Sequence, residues 1–128
     1  MPAGWMGLTM TIERFEPGKR MSQAVAHSDT VYLAGQVAAD TVGTGVTAQT
    51  QQILGQIDRL LAAAGSSKEH ILMATIYLAD MDGFPEMNAA WDAWVSKDNP
   101  PGRATVEARL AGPEYLVEIV VVAARNAL

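Results

Sequence analysis

The chain has 128 residues, of which 49% are apolar and 18% charged, a composition typical of one folded domain rather than a disordered chain. Its formal net charge of −5 argues against a protein that binds nucleic acid, because neutralising phosphates needs clustered Lys and Arg. The absence of cysteine excludes disulfides, thiolate metal sites and a cysteine nucleophile.

The sequence predicts no targeting or membrane-spanning segment. The first ten residues lack the basic start and long apolar core of a secretory signal, and no apolar run reaches the length of a membrane-spanning helix. We therefore expect a cytoplasmic protein without a membrane partner. Strand character begins at Thr11, so residues 1–10 are expected to be a flexible extension and residues 11–128 to form one domain.

Three strands are predicted in the first third of the chain. Thr11 to Phe15 alternates apolar and polar side chains and is closed by Pro17-Gly18. Ala24 to His27 and Thr30 to Gln36 follow, and Ser28-Asp29 between them is typical of a hairpin turn.

The middle of the chain predicts a helix, a strand and a second helix. In the first helix Thr47 is the expected N-cap and Gly65 the stop. His70 to Leu78 alternates like a buried strand, and Asp82 is the expected cap of the second helix. The apolar positions of helical spacing are Ile53, Ile57, Leu60 and Leu61 in the first helix and Phe84, Met87, Trp91, Trp94 and Val95 in the second.

Two strands are predicted in the last third, joined by a turn at Ala111-Gly112-Pro113. Direct pairing of these strands about that turn would bring Glu118 closer to Val106 than to Arg103. The complete order, β-β-β-α-β-α-β-β, favours an α+β fold with a single mixed β-sheet and two helices packed on one face. The other face would then need burial against a partner.

Glu118 and Arg103 stand out on physical grounds. Glu118 is the one ionisable group in an otherwise apolar strand, where a carboxylate is costly unless it is paired. Taken alone, this favours a structural glutamate, satisfied by an arginine or by backbone amides. Arg103 follows two prolines and a glycine, and a guanidinium held there suits bidentate capture of a carboxylate. The alternative is an ordinary surface arginine.

The usual catalytic sets are missing. His27 and His70 have no acidic partner at metal-ligand spacing, and neither accompanies a glycine-flanked serine elbow. The Gly43-Thr44-Gly45 stretch lacks the lysine of a phosphate-binding loop. No metal site is predicted.

Several segments, in order and with matching gaps, resemble the RidA (YjgF) family of reactive imine/enamine deaminases, also labelled the endoribonuclease L-PSP family. The resemblance covers roughly residues 15 to 126. The segments that carry it are Val31 to Gln36, Thr47 to Gly65, Ile76 to Asp82 with Phe84, Asn88 and Trp91, Pro100 to Val106, and Val117 to Ile119.

The resemblance implies a chorismate-mutase-like α+β fold and a homotrimer in which the sheets pack together and the clefts lie between subunits. It implies a hydrolase like 2-iminobutanoate/2-iminopropanoate deaminase. Such an enzyme converts reactive 2-imino and 2-enamino acids to 2-oxo acids and ammonia, and it needs no cofactor.

The resemblance also implies roles for individual residues. Arg103 matches the arginine that grips the substrate carboxylate, and Glu118 matches the glutamate that positions the attacking water. Gly35 and Asn88 match positions that line the cleft. Thr105 stands where many members have cysteine and faces the ligand.

Two further positions of the expected substrate-binding set depart from the family pattern. Met21 stands where archetypal members have a tyrosine that completes the pocket from the neighbouring subunit, and Ala34 replaces a frequent serine. Each change removes a hydroxyl group. The expected result is a preference for a bulkier or more apolar imine, or weak activity.

Three other functions are compatible with parts of this pattern. A non-catalytic trimer could bind small carboxylates in the same clefts, although such a binder needs Arg103 and has no need of Glu118. An endoribonuclease is disfavoured by the acidic charge. Chorismate mutase activity rests on fold analogy alone.

Overall fold

A computed structural model describes residues 11–126 of the chain, which fold into six strands and two long helices. The expected extension, residues 1–10, lies outside the described residues, as do residues 127–128. The strands are β1 (Ile12–Pro17), β2 (Ser22–His27), β3 (Thr30–Leu33), β4 (Ile71–Leu78), β5 (Gly102–Glu107) and β6 (Val117–Ala124). The helices are α1 (Val46–Ala63) and α2 (Phe84–Trp94), and short 3₁₀ turns span Ala39–Thr41, Lys68–His70 and Met81–Gly83.

All six strands belong to one mixed sheet in the order β1-β2-β3-β6-β4-β5. Neighbouring strands are antiparallel except β4 and β5, which are parallel. A parallel pair needs a crossover, and α2 provides it between β4 and β5. The predicted α+β architecture with a single mixed sheet is confirmed.

Both helices pack on the same face of the sheet, as the order of elements predicts. The apolar stripe of α1 is fully buried, and Met87 and Trp91 of α2 belong to the same core. From the sheet this core receives alternate residues of the central strands, including Val31, Ile76 and Ile119. The methionine and tryptophan of α2 are therefore packing residues, as the sequence indicates.

Within residues 11–126, the opposite face carries no helix. In β6, Val117, Ile119, Val121 and Ala123 are buried while the residues between them are only partly covered. We call this uncovered surface the open face; it is formed by Val25, Tyr32, Thr75, Tyr77, Val106, Glu118, Val120 and Val122. Tyr32 is 50% exposed and Val106 41% exposed. A large apolar patch of this kind is typical of a surface that another molecule covers.

The predicted direct pairing of the last two strands is wrong. β4 lies between them, and it pairs with β5 on one edge and with β6 on the other. Glu118 and Val106 therefore flank Tyr77 from opposite sides. The physical reason is that residues 108–116 form a connection long enough to pass across the end of β4. The Ala111-Gly112-Pro113 segment is part of this long connection and does not form a tight hairpin turn.

The helix caps also differ from the prediction. α1 begins after Gly45, so that Thr47 lies inside the helix and no side chain caps it. Asp80, rather than Asp82, accepts a hydrogen bond from a backbone amide in the 3₁₀ turn that precedes α2. Gly65 stops α1 as expected, with a φ of 82° that favours glycine.

Candidate functional site

Arg103 lies beneath α2 at the start of β5. Its guanidinium carbon is 5.5 Å from the centre of the Trp91 ring and 5.9 Å from the centre of the Phe84 ring. These cation–π contacts hold the charge in place and leave its N–H donors free. Among residues 11–126, Arg103 forms no ion pair with a carboxylate.

Asn88 and Thr105 lie on the two elements that surround this arginine, α2 and β5. Asn88 stands between Phe84 and Trp91 on one face of α2, because the three residues are spaced by four and three positions. Thr105 is two residues beyond Arg103 in β5 and shares its face. The Oδ1 of Asn88 and the Oγ1 of Thr105 are buried without a hydrogen-bond partner among the described residues.

We call Phe84, Asn88, Trp91, Arg103 and Thr105 the arginine cluster. A buried polar atom without a partner costs free energy, typically about 1–3 kcal/mol, which a bound polar group can recover. The cluster thus combines a free cation with two unsatisfied oxygens beside aromatic rings. It is suited to a small ligand that has both a carboxylate and a hydrogen-bond donor.

Glu118 lies on the open face of β6, against Gly35. A Cβ atom added to Gly35 would come within 2.9 Å of the Glu118 Cδ, so that the carboxylate fits only because this residue has no side chain. The Glu118 carboxylate forms no hydrogen bond and no ion pair within the described part of the chain. The structural alternative, in which an arginine or backbone amides satisfy this carboxylate, is therefore not observed.

Ala34 and Gly35 lie where the chain leaves β3. This strand ends at Leu33, earlier than predicted, and Gln36 rejoins the sheet through an isolated bridge to Ile119. The Ala34 amide donates to the Gln23 carbonyl at 2.9 Å. We call Ala34, Gly35 and Glu118 the glutamate cluster.

Met21 stands at the turn between β1 and β2 and is 48% exposed. It contributes to a cleft of about 570 Å³, which is also formed by Glu16, Gly18, Lys19, Arg20 and Gln23. Gln23 connects this cleft to the glutamate cluster through its backbone bond to Ala34. We call it the Met21 cleft.

Four glutamines beside the glutamate cluster were not anticipated from the sequence. Gln36 donates to Gln23 at 3.0 Å and to the Ala34 carbonyl at 3.1 Å. Gln56 of α1 donates to Gln36 at 3.0 Å, and Gln52 donates to Gln56 at 2.8 Å. Gln52 and Gln56 are four residues apart and therefore lie on the same side of α1. This spacing is the one feature of the sequence that indicates a contact between the glutamines.

The two clusters lie on opposite faces of the sheet. Arg103 pairs with Ala74, which is fully buried under the helices. Glu118 pairs with Tyr77, whose side chain belongs to the open face. Because paired residues of neighbouring strands share a face, a single chain keeps the Arg103 guanidinium and the Glu118 carboxylate apart.

A further cavity lies elsewhere. It has a volume of about 770 Å³, is formed around residues 107–115 with Ala79, and contains neither Arg103 nor Glu118. Its lining offers Arg109 beside Glu107, without a buried unsatisfied group, so that the two clusters remain the better candidates.

Within residues 11–126, no group of three or more His, Asp or Glu side chains is arranged to hold a metal ion. Neither helix of this region combines the length and apolarity that a membrane crossing requires.

The chain is similar to several known proteins over most of its length. A family model described as Endoribonuclease L-PSP matches residues 11–125. A RutC family protein of Haemophilus influenzae is 49% identical over 114 residues, which cover 89% of this chain and 98% of that protein. The RutC family protein YoaB of Escherichia coli is 45% identical over 115 residues, covering 90% and 99%. A crystal structure of a YjgF family protein from Neisseria meningitidis matches with a TM-score of 0.89 at 45% identity, covering 92% and 98%.

Proposed function

We propose that this chain, which belongs to the endoribonuclease L-PSP family together with the RutC and YjgF proteins, hydrolyses reactive 2-imino and 2-enamino acids to 2-oxo acids and ammonia. This is the activity of a 2-iminobutanoate/2-iminopropanoate deaminase, acting in the cytoplasm without a cofactor. The observation that carries the proposal is that two charged side chains, Arg103 and Glu118, have no ion-pair partner in the described chain. Arg103 is held by aromatic rings, and Glu118 is held against Gly35.

Arg103 binds the substrate carboxylate. Its guanidinium offers a planar set of donors that match a carboxylate in a bidentate pair, and the rings of Phe84 and Trp91 fix its position. The unsatisfied oxygens of Asn88 and Thr105 are acceptors suited to the N–H of an imine or of its hydrate. A substrate with a carboxylate next to a nitrogen-bearing carbon fits this set.

Glu118 acts as the general base. An enamine first takes a proton from solvent at C3 to become the protonated imine. Water then adds to C2 while Glu118 accepts one of its protons, which gives a neutral aminoalcohol. Glu118 returns this proton to nitrogen, the C2–N bond breaks, ammonia leaves, and the hydroxyl proton passes to solvent as the C2=O bond of the 2-oxo acid forms.

The complete site lies between two copies of the chain in a homotrimer. Arg103 and Glu118 point away from opposite faces of one sheet, so that a site with both groups needs Arg103 from one subunit and Glu118 from its neighbour. The open face offers an apolar surface for such packing, with Tyr32 and Val106 widely exposed in the single chain.

Met21 and Ala34 bias the pocket toward larger or more apolar substrates. Both are candidate substrate-binding residues, together with Gly35, and neither carries a hydroxyl group. An imine derived from leucine is therefore expected to be hydrolysed faster than one derived from alanine. Equal and rapid turnover of both would contradict this preference.

The proposal is tested by imine hydrolysis in a trapping assay. An amino-acid oxidase generates imines from a panel of amino acids, and semicarbazide competes to trap them. The wild-type protein is expected to lower the trapped signal, and Arg103→Ala and Glu118→Gln are expected to restore it. A signal equal to that of buffer for every substrate would exclude the deaminase.

A non-catalytic protein that binds small carboxylates is the second candidate. It is favoured by the missing hydroxyl groups at Met21 and Ala34, and it would show saturable binding of a 2-oxo acid without any effect in the trapping assay. Ribonuclease activity, which the family description names, is disfavoured by the net charge of −5.

A further inference from the structure

We propose that Gln23 is a further ligand-binding residue of the same site: its side-chain Nε2, which ends a one-way chain of glutamine amides, donates a hydrogen bond to a carboxylate or carbonyl oxygen of the substrate. The inference rests on the proposed function for the identity of that substrate. It assigns a donor to the part of the site where Met21 and Ala34 provide none.

The direction of the chain follows from groups that can only accept. The Nε2 of Gln36 lies 3.1 Å from the Ala34 carbonyl, and the Nε2 of Gln56 lies 3.2 Å from the Val37 carbonyl. A carbonyl oxygen has no proton to give, so that each of these glutamines must turn its amide nitrogen toward it. The orientation of both side chains is thereby determined.

The remaining bonds then follow without choice. The second N–H of Gln56 donates to the Oε1 of Gln36 at 3.0 Å, and the second N–H of Gln36 donates to the Oε1 of Gln23 at 3.0 Å. At the far end Gln52 donates to the Asp40 carboxylate at 3.2 Å, another group that accepts when ionised, and to Gln56. Three amides in succession thus use both of their hydrogens.

Gln23 is where the chain ends. Because its Oε1 accepts from Gln36, its Nε2 is turned away from the network, and it has no hydrogen-bond partner among residues 11–126. The Gln23 Nε2 is not fully buried, so that it is open to a ligand or to water. Aligned hydrogen bonds polarise one another, which makes this terminal N–H a stronger donor than an isolated amide.

The Met21 cleft gives this donor an environment suited to an anion. Lys19 and Arg20 form no ion pair within the described residues, whereas the carboxylate of Glu16 is paired with Arg59 outside the cleft. The cleft therefore has two free positive charges beside the Gln23 amide. Its volume of about 570 Å³ is within the range of small-molecule sites.

The test is a titration of the full-length protein with 2-oxobutanoate, a product of the proposed reaction, followed by the side-chain amide signals in ¹⁵N-edited NMR. The Gln23 signal is assigned by its loss in Gln23→Leu. We expect it to shift on titration, and we expect the dissociation constant to rise about tenfold in Gln23→Leu. The matched control is Gln51→Leu, an exposed glutamine of α1 outside the network, which is expected to bind like the wild type.

A second variant keeps the inference falsifiable if Gln23→Leu folds poorly. Gln23→Glu retains an oxygen toward Gln36 and replaces the free donor by an acceptor, so that 2-oxobutanoate binding is expected to weaken more than in Gln23→Leu. Unchanged binding in both variants, or a Gln23 amide signal that does not move, would overturn the role of Gln23.

The outcomes separate this inference from the proposed function. Binding that depends on Arg103 and not on Gln23 leaves the deaminase standing and refutes the inference. Binding that depends on Gln23 in a protein without imine hydrolysis supports the inference and refutes the deaminase. A wild-type protein that neither binds 2-oxobutanoate nor hydrolyses imines refutes both.

Discussion

The functional role of a single residue in this chain can be predicted from the sequence in some cases and not in others. Arg103 and Glu118 could be selected from the sequence, because a charge beside a rigid turn and a carboxylate in an apolar strand each need an explanation. Gln23 could not, since a neutral amide in a strand has no such cost. Its free Nε2 emerges only when the orientations of Gln36 and Gln56 are known.

Gly35 offers a direct test of the glutamate cluster at this scale. In Gly35→Ala the new Cβ collides with the Glu118 carboxyl group and displaces it, while the backbone stays at an ordinary φ. We expect kcat for imine hydrolysis to fall roughly 10–100-fold, because a misplaced base loses much of its catalytic contribution. The free energy of unfolding should change by no more than about 0.5 kcal/mol, since the far end of Glu118 can move.

The control is Gly55→Ala, a glycine exposed on α1 whose added Cβ would meet nothing within 4 Å. It should leave kcat unchanged and stabilise the protein by about 0.5–1 kcal/mol, because alanine favours a helix interior. Equal losses of kcat in both variants would show that Gly35 has no particular relation to Glu118.

At the scale of elements, the local sequence pattern predicts the helices and strands, but the order of strands in the chain does not predict which strands are neighbours in the sheet. The spacing of Ile53, Ile57 and Leu60 predicts α1 because a helix repeats every 3.6 residues. Nothing comparable encodes which strands pair: β5 and β6 follow one another in the chain, yet β4 separates them. Thus the strands were predictable, while the separation of Arg103 from Glu118 by the sheet required the structure.

Gln49 of α1 secures the connection that makes this strand order possible. Its buried side chain donates to the Glu114 carbonyl at 3.0 Å and accepts from the Leu116 amide at 2.9 Å, just before β6. In Gln49→Leu both backbone groups lose their partner, and we expect a loss of about 2 kcal/mol in the free energy of unfolding.

Urea denaturation at fixed protein concentration measures this change. The exposed Gln51→Leu is the matched control and should stay within about 0.5 kcal/mol of the wild type. A Gln49→Leu protein as stable as this control would mean that the connection is held by other contacts.

At the scale of the whole molecule, the decisive feature is the placement of the two clusters on opposite faces of one sheet. Arg103→Ala and Glu118→Gln are each expected to be inactive as pure proteins. When they are co-expressed in equal amounts, mixed trimers contain one interface with both native groups, and random assembly should restore roughly a quarter of the wild-type activity. The trapping assay measures the recovery.

The same experiment has a clear contrary result. If Arg103 and Glu118 of one subunit served the same site, every site in the mixture would lack one of the two groups. No activity would then return, and the composite site between subunits would be refuted. Size-exclusion chromatography with light scattering on the mixture confirms that the variants assemble.

In the proposed composite site, the separation of the clusters by the sheet also makes turnover depend on protein concentration. A single chain would hold two halves of a site and no whole one, so that a strongly diluted subunit is expected to be inactive. Specific activity should rise with protein concentration and level off only above the dissociation constant of the assembly. In the proposed trimer, the open face thereby couples activity to abundance: a cell that holds the chain far below this dissociation constant is expected to have little of its catalysis.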